Sequence, residues 1–276
     1  MSEEGRSEEI VDVVRERYGR IAQGLESGCC GPASSCGGGE TAVALGVGYS
    51  QKDLAAVPEE ANLGLGCGAP LRHLALVPGE TVLDLGSGAG VDAFLAAREV
   101  GATGKVIGVD MTQAMLEKAR ANVRKAGVSN VEFREGRLEA LPVEAGTIDA
   151  VTSNCVINLV PDKGKVFAEI ARVLKPGGRL VISDIILDGV LPEAIAKDVY
   201  AYVGCVSGAM VRDQYFGLLK RAGFEGVEVL KDVDYLDTVG DALPGEMGKL
   251  LADSGVAPDA LLGKVRSVTY RASKAA

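Results

Sequence analysis

The chain has a single histidine, His73, no tryptophan, and aromatic residues at only 4%. One imidazole cannot complete the mixed Cys/His ligand sets of zinc fingers, so that class is nearly excluded. No charge-free apolar run approaches the ~20 residues that a membrane span requires, and no membrane is expected as a partner. Basic runs are also missing: 29 Lys and Arg stand against 38 Asp and Glu, a net charge of −9. That field repels phosphate backbones and anionic lipid, so nucleic acid is not an expected partner. The first residues, Met1 to Glu9, are acidic with no apolar core behind them, unlike a secretory signal or a transit peptide. The expected location is cytoplasmic. What the chain does have is glycine, 37 of 276 residues against a usual share of roughly 7%, and six cysteines. These are too few for a disulfide scaffold at this length, and cytosolic thiols stay reduced, so they read first as ligands or redox groups.

Ile10, Val13, Val14, Tyr18 and Ile21 recur at helical spacing, which predicts an amphipathic helix from Ser7 to Gly24 with Ser7 as its N-cap. Ser27 to Thr41 is almost entirely Gly, Ser and Cys, including Cys29, Cys30 and Cys36, and reads as a mobile loop. A second irregular span, Gly64–Pro70, carries Cys67. From Glu80 to Leu187 strands then alternate with helices. The strands are expected at Thr81–Leu85, Lys105–Val109, Val131–Arg134, Ile148–Ser153 and Arg179–Ile185. The helices are expected at Val91–Val100, Thr112–Ala126 and Lys163–Leu174. This is the signature of an α/β fold, a mainly parallel sheet covered on both faces. Beyond Asp188 helices at Glu193–Val203 and Arg212–Ala222 and strands at Gly226–Leu230 and Ser267–Ala272 suggest a smaller α+β C-terminal domain. The expected division is an N-terminal helix with a Cys/Gly-rich segment over 1–70, a Rossmann-like domain over 71–188, and a C-terminal domain over 189–276.

The first predicted strand runs into Asp84-Leu-Gly86-Ser87-Gly88-Ala-Gly90 and then a helix. Glycines let the backbone turn sharply against a ligand, and the helix N-terminus offers free N–H groups to an anion. A dinucleotide fingerprint would need glycine at Val91, so this loop instead resembles motif I of Rossmann-like class I S-adenosyl-L-methionine methyltransferases. The resemblance implies a donor carboxylate at the loop and its ammonium group near Asp84. Asp110, closing the second strand ahead of Met111, can accept both ribose hydroxyls. Arg137-Leu138-Glu139, after the third strand, falls where that family contacts adenine.

Three cysteines stand outside the Ser27–Thr41 loop: Cys67 in Gly66-Cys-Gly68, Cys155 in Ser153-Asn154-Cys-Val-Ile-Asn158, and Cys205 in Gly204-Cys-Val-Ser-Gly208. Cys155 ends the fourth strand, where open α/β sheets place their ligands. Together with Val82-Leu-Asp-Leu-Gly-Ser-Gly88, Gly108-Val-Asp-Met-Thr112, Pro161-Asp-Lys163 and Arg172-Val-Leu-Lys-Pro-Gly-Gly178, these segments resemble the arsenite methyltransferase family over nearly the whole chain from Tyr18. The resemblance implies that Cys67, Cys155 and Cys205 hold trivalent arsenic as thiolates, and that Cys29 or Cys30 supplies a further redox thiol. It implies arsenite and methylarsenite as substrates, and thioredoxin or glutathione as thiol reductant. The cofactor set it implies is Asp84, Gly86, Ser87, Gly88, Gly90, Asp110, Met111, Leu138 and Asn154. The family usually has asparagine where Ala69 stands and an acid where Arg137 stands.

The chemistry agrees with that assignment. Trivalent arsenic is soft and prefers sulfur to nitrogen or oxygen. Bound by three thiols it keeps a lone pair, so methyl transfer needs no general base, which suits a chain with one histidine outside every motif. The alternatives are another small-molecule methyltransferase with merely structural cysteines, or a thiol protein that binds metalloids without turnover. The first would need a base and would tolerate Cys→Ser changes; the second, as a sensor, would usually carry a basic DNA-reading helix, and none is found. The chain is expected to act as a monomer.

Overall fold

The computed structural model describes residues 3–26, 39–196, 205–235, 251, 253 and 255–276. Seven strands form one sheet in the order β3-β2-β1-β4-β5-β7-β6. They are β1 Thr81–Leu85, β2 Lys105–Asp110, β3 Val131–Glu135, β4 Ile148–Asn154, β5 Leu174–Leu187, β6 Phe224–Asp234 and β7 Val265–Lys274. The first five run parallel, and β7 inserts antiparallel between β5 and β6. β1 and β4 are buried along almost their whole length because helices cover both faces of the sheet. The helices are α1 Glu3–Ala22, α2 Gly39–Val47, α3 Gln51–Leu54, α4 Val91–Val100, α5 Gln113–Ala126, α6 Lys163–Val173, α7 Glu193–Ala196 and α8 Arg212–Arg221. One core layer, under α6 and α8, gathers Phe167, Ile170, Tyr215 and Tyr270; the other, under α4 and α5, gathers Phe133, Leu116 and Val100.

Four expectations are corrected. Ser7 lies inside α1 and is not its N-cap; a cap is worth only about 1 kcal/mol, too little to set a boundary against a preceding turn that is itself helical. The irregular loop read as far as Thr41 gives way at Gly39 to α2, whose Ala44 and Val47 are buried; residues 27–38, with Cys29, Cys30 and Cys36, lie outside the described residues. His73 ends a short 3-10 turn, Pro70–His73, whereas a helix over Leu71–Leu76 is expected from the sequence. Finally, β6 and β7 do not build a separate sheet but extend the one formed by β1–β5. The pairing of β7 with β5 runs unbroken from Arg179↔Ser273 to Leu187↔Val265, so the C-terminal segment is structurally continuous with the sheet. Of the helix expected over Glu193–Val203, Glu193–Ala196 is helical, and 197–204 lie outside the described residues.

Candidate functional site

The site lies beyond the carboxyl ends of β1, β2 and β4. Gly86, Gly88 and Gly90 all have positive φ (63°, 52° and 104°), and Gly90 is the N-cap of α4 with no side-chain cap bond. Gly90 thus supplies no cap, which leaves N–H groups of the first α4 turn for an anion, apart from that of Ala93, which Asp84 takes. Gly86 is required twice over: its φ disfavours any side chain, and a Cβ there would strike the side chain of Val156. Asp84, Asp92 and Asp110 converge on this loop, all buried. Asp110 accepts from the Gly88 N–H at 2.9 Å and the Thr112 N–H at 2.8 Å, which locks the loop to the end of β2. Asp84 Oδ2 is buried without a hydrogen-bond partner. Burial, then the charges of Asp92 and Asp110, push its carboxyl well above the usual range; burial raises Asp92 to about 6. Such a cluster accepts a cation, as a ligand's ammonium group would supply.

The cavity above the loop is lined by Asp84, Ser87, Asp110, Met111, Leu138 and Asn154, so the expected cofactor set lines one space. Cys155 and Cys205 line the same cavity. So do Val11, Val14 and Tyr18 of α1, of which the sequence pattern identified Val14 and Tyr18, only as part of a helix face. Arg137 joins α1 to this region through Glu8 at 2.8 Å and holds Glu139 at 3.0 Å, an ion-pair role that an acid there could not fill. Ala69 is buried in the apolar cluster beneath Leu71 and Leu74.

The three thiols meet over β4, β5 and β7. Cys67 and Cys205 are buried, Cys155 is half-buried, and none is in a disulfide. The neighbouring Cys205 and Cys67 thiols, and then burial, push the Cys155 thiol well above the usual range. Burial likewise raises Cys67. The Cys205 Sγ also donates to the Cys155 carbonyl at 3.0 Å. The Cys67 and Cys205 thiols are thus neighbours of Cys155; among the described residues, no group of three or more His, Cys, Asp or Glu side chains is disposed to hold a metal ion.

Cys155 and Cys205 both adopt left-handed backbone, at φ 60° and 65°, a conformation costing of order 1–3 kcal/mol for a residue with a Cβ. The structure around them over-determines it. The Cys155 N–H donates to Ser183 O at 2.8 Å. Asn158 fastens the same turn to β5, donating to Asp184 Oδ1 at 2.9 Å and Ile185 O at 2.5 Å. Asp184 accepts the Tyr215 hydroxyl at 3.0 Å, and the Lys163 ammonium is held by the Asn158 and Val160 carbonyls at 3.3 and 3.0 Å. Burial moves these two groups towards each other, Asp184 up to about 7 and Lys163 down to about 8. Lys163 was legible only as part of a motif, and its buried position gives that motif a physical purpose.

Asn154, expected to bind cofactor, lines the cavity but spends its amide on the Cys67 loop. Its Oδ1 accepts the Cys67 and Gly68 N–H groups at 3.0 and 3.3 Å, and its Nδ2 donates to Gly68 O at 2.7 Å and Tyr49 Oη at 2.9 Å. Ser267 on β7 donates to the Cys67 carbonyl at 2.6 Å. Tyr49 and Asp92 escaped the sequence reading. The Ser50…Asp53 capping box that follows Tyr49 was the available signal, since it marks where the chain turns into α3.

A Rossmann-like sheet whose glycine loop is ringed by three buried carboxyls defines a class, and comparison supports it: residues 76–231 match the family described as a methyltransferase domain. An arsenite methyltransferase of Halobacterium salinarum is 45% identical over 247 residues, covering 85% of this chain and 62% of that protein. An arsenic (III) S-adenosylmethionine methyltransferase structure from Chlamydomonas reinhardtii superposes with a TM-score of 0.64 at 33% identity, covering 85% of this chain and 74% of that one. The chain belongs to the arsenite methyltransferase family of S-adenosylmethionine-dependent enzymes. A Haemonchus contortus phosphoethanolamine N-methyltransferase, 23% identical with a TM-score of 0.59, shares the fold alone. The chain spans less than two thirds of the curated relative from Halobacterium, and 44% of a second arsenite methyltransferase, from Aquipseudomonas alcaligenes, that is 39% identical to it over 151 residues.

Proposed function

We propose that the chain transfers a methyl group from S-adenosyl-L-methionine to trivalent arsenic held by Cys67, Cys155 and Cys205. The observation that carries this reading is that the free thiols of Cys67 and Cys205 neighbour that of Cys155, and that Cys155 and Cys205 line the donor cavity. The bound donor supplies an electrophilic methyl on a sulfonium sulfur. Asp84, with its unpartnered oxygen, receives the donor's ammonium group, the N-terminus of α4 its carboxylate, and Asp110 its ribose hydroxyls.

The raised thiols are protonated at neutral pH. Three thiols can displace the three hydroxyls of arsenous acid as three waters, each thiol proton leaving with one hydroxyl, and a neutral arsenic keeps its lone pair. Cys205 gives up its bond to the Cys155 carbonyl to ligate, a small loss because a thiol is a weak donor. The lone pair attacks the methyl directly, so no side chain has to remove a proton. The protein's contribution is alignment, and the turn at Cys155 provides it by fixing one ligand at the end of β4. Methyl transfer leaves arsenic formally pentavalent. Two thiols leaving as a disulfide return two electrons to it, and a dithiol such as thioredoxin, or glutathione, reduces that disulfide. Cys29 or Cys30 fits the part of the extra thiol in that exchange. Methylarsenite is then a second substrate. The enzyme is read as a cytoplasmic monomer; no described helix is long and apolar enough to cross a membrane.

The test is to incubate the protein with arsenite, methyl-labelled donor and a thiol reductant and to separate the arsenic species. Labelled methylarsenicals are expected; their absence from folded, donor-binding protein overturns the proposal.

A further inference from the structure

The Cys67–Gly68 peptide has all four of its backbone groups engaged from one direction or another. Asn154 takes both N–H groups and the Gly68 carbonyl, and Ser267 takes the Cys67 carbonyl. The loop is pressed against these partners: a Cβ on Gly66 would sit 2.7 Å from Asn154 Nδ2, and one on Gly68 would strike Ser183. The position of the Cys67 thiol therefore depends on which way the Asn154 amide faces. An amide turned over would present its NH2 to two N–H groups and its oxygen to a carbonyl.

That choice is set from outside the loop. Asn154 Nδ2 lies 2.9 Å from the Tyr49 oxygen, and the Tyr49 hydroxyl donates to Asp92 Oδ1 at 2.9 Å. A carboxylate only accepts, so Asp92 commits the single Tyr49 proton, and Tyr49 can then only accept from Asn154. The polarity runs in one sense from Asp92 through Tyr49 and Asn154 to the Cys67 N–H. Asp92 stands in the first turn of α4, directly after the glycine loop, and its charge acts on Asp84. Tyr49 is buried and bridges two segments 105 residues apart in sequence.

We infer that Tyr49 is a positioning residue for the Cys67 thiol: oriented by Asp92, its hydroxyl fixes the Asn154 amide that holds the Cys67 loop, joining the donor-binding helix to the arsenic site. The inference rests on Cys67 being an arsenic ligand, as proposed above. It makes arsenic affinity, and not donor affinity, the property most sensitive to this hydroxyl.

Tyr49→Phe in the full chain removes one hydrogen bond and keeps the ring. Amide exchange at Cys67 and Gly68, followed by NMR on the ligand-free protein, should quicken roughly threefold to tenfold while β1 and β4 amides are unchanged. The KM for arsenite should rise by a similar factor, with the dissociation constant for S-adenosyl-L-methionine within about twofold of the parent. Asp92→Asn keeps an acceptor for Tyr49 and should leave the two amides parent-like, whereas Asp92→Ser, too short to reach, should reproduce the faster exchange. Unchanged exchange at both amides, or a loss confined to donor affinity, overturns the inference. If Tyr49→Phe does not fold, the Asp92 pair decides by the same amides. Failure of the parent to bind arsenite would defeat the proposed function, while the exchange measurement would still decide the clamp.

Discussion

At the scale of single residues, Cys155 and Cys205 are held on backbone conformations that a side chain rarely adopts. Cys155 sits in a strained backbone conformation, pinned between Ser183 and the turn that Asn158 fastens. Replacing Cys155 or Cys205 by serine should lower methyl transfer to arsenite at least about a hundredfold, the scale of a misplaced reactant. Affinity for S-adenosyl-L-methionine, measured by calorimetry on the same variants, should stay within about twofold, because neither thiol belongs to the acidic cluster proposed to receive its ammonium. Serine in place of Cys29 and Cys30 should spare transfer to methylarsenite, as product analysis would show. Asp184 gives a second residue-scale prediction. Its carboxyl is raised from 3.8 to about 7 by burial, so the folded chain holds that proton where the unfolded chain has released it. The stability this group contributes is full below pH 3.8 and is lost as pH rises through about 7. Lys163, lowered from 10.5 to about 8, acts in the opposite sense at higher pH, its contribution being lost as pH falls through about 8. Asp184→Asn should therefore flatten the fall in thermal stability between about pH 4 and 7; an unaltered slope would show that Asp184 does not titrate there.

Among the elements, the glycine loop and the β7 strand bear most. Gly86→Ala places a Cβ against Val156 in a left-handed conformation, and should weaken donor binding by tenfold or more with the fold intact by circular dichroism. Most of the alternating region could be read directly: β1 Thr81–Leu85 and α4 Val91–Val100 fall where periodicity and the turn signals put them. The donor loop and Cys155 were legible for the same reason, since motif and strand end coincide in sequence. Two kinds of feature were not. β7 belongs to the sheet through long-range antiparallel pairing with β5 and β6, which local periodicity does not record. Tyr49 and Asp92 act through partners far apart in sequence, and each taken alone looks like an ordinary helix-flanking residue. Deleting the chain from Val265 onward removes a strand hydrogen-bonded on both edges and should abolish cooperative unfolding, a result that a detachable C-terminal domain would not give.

For the molecule as a whole, the shared sheet joins the donor loop on β1, Cys155 at β4 and the Ser267 support of Cys67 on β7 into one rigid frame. The charge of −9 deters nucleic acid but not arsenous acid, which is uncharged at neutral pH. A donor that binds only the folded chain should stabilise it by about 2.7 kcal/mol at a hundredfold excess over its dissociation constant, visible as a rise in Tm. In the proposed reaction three thiols present arsenic to the donated methyl. Arsenic speciation after incubation with arsenite, methyl-labelled S-adenosyl-L-methionine and thioredoxin or glutathione tests it most directly. Labelled methylarsenicals from the parent and at least about a hundredfold less from Cys155→Ser are predicted; equal product from both would contradict the arsenic site.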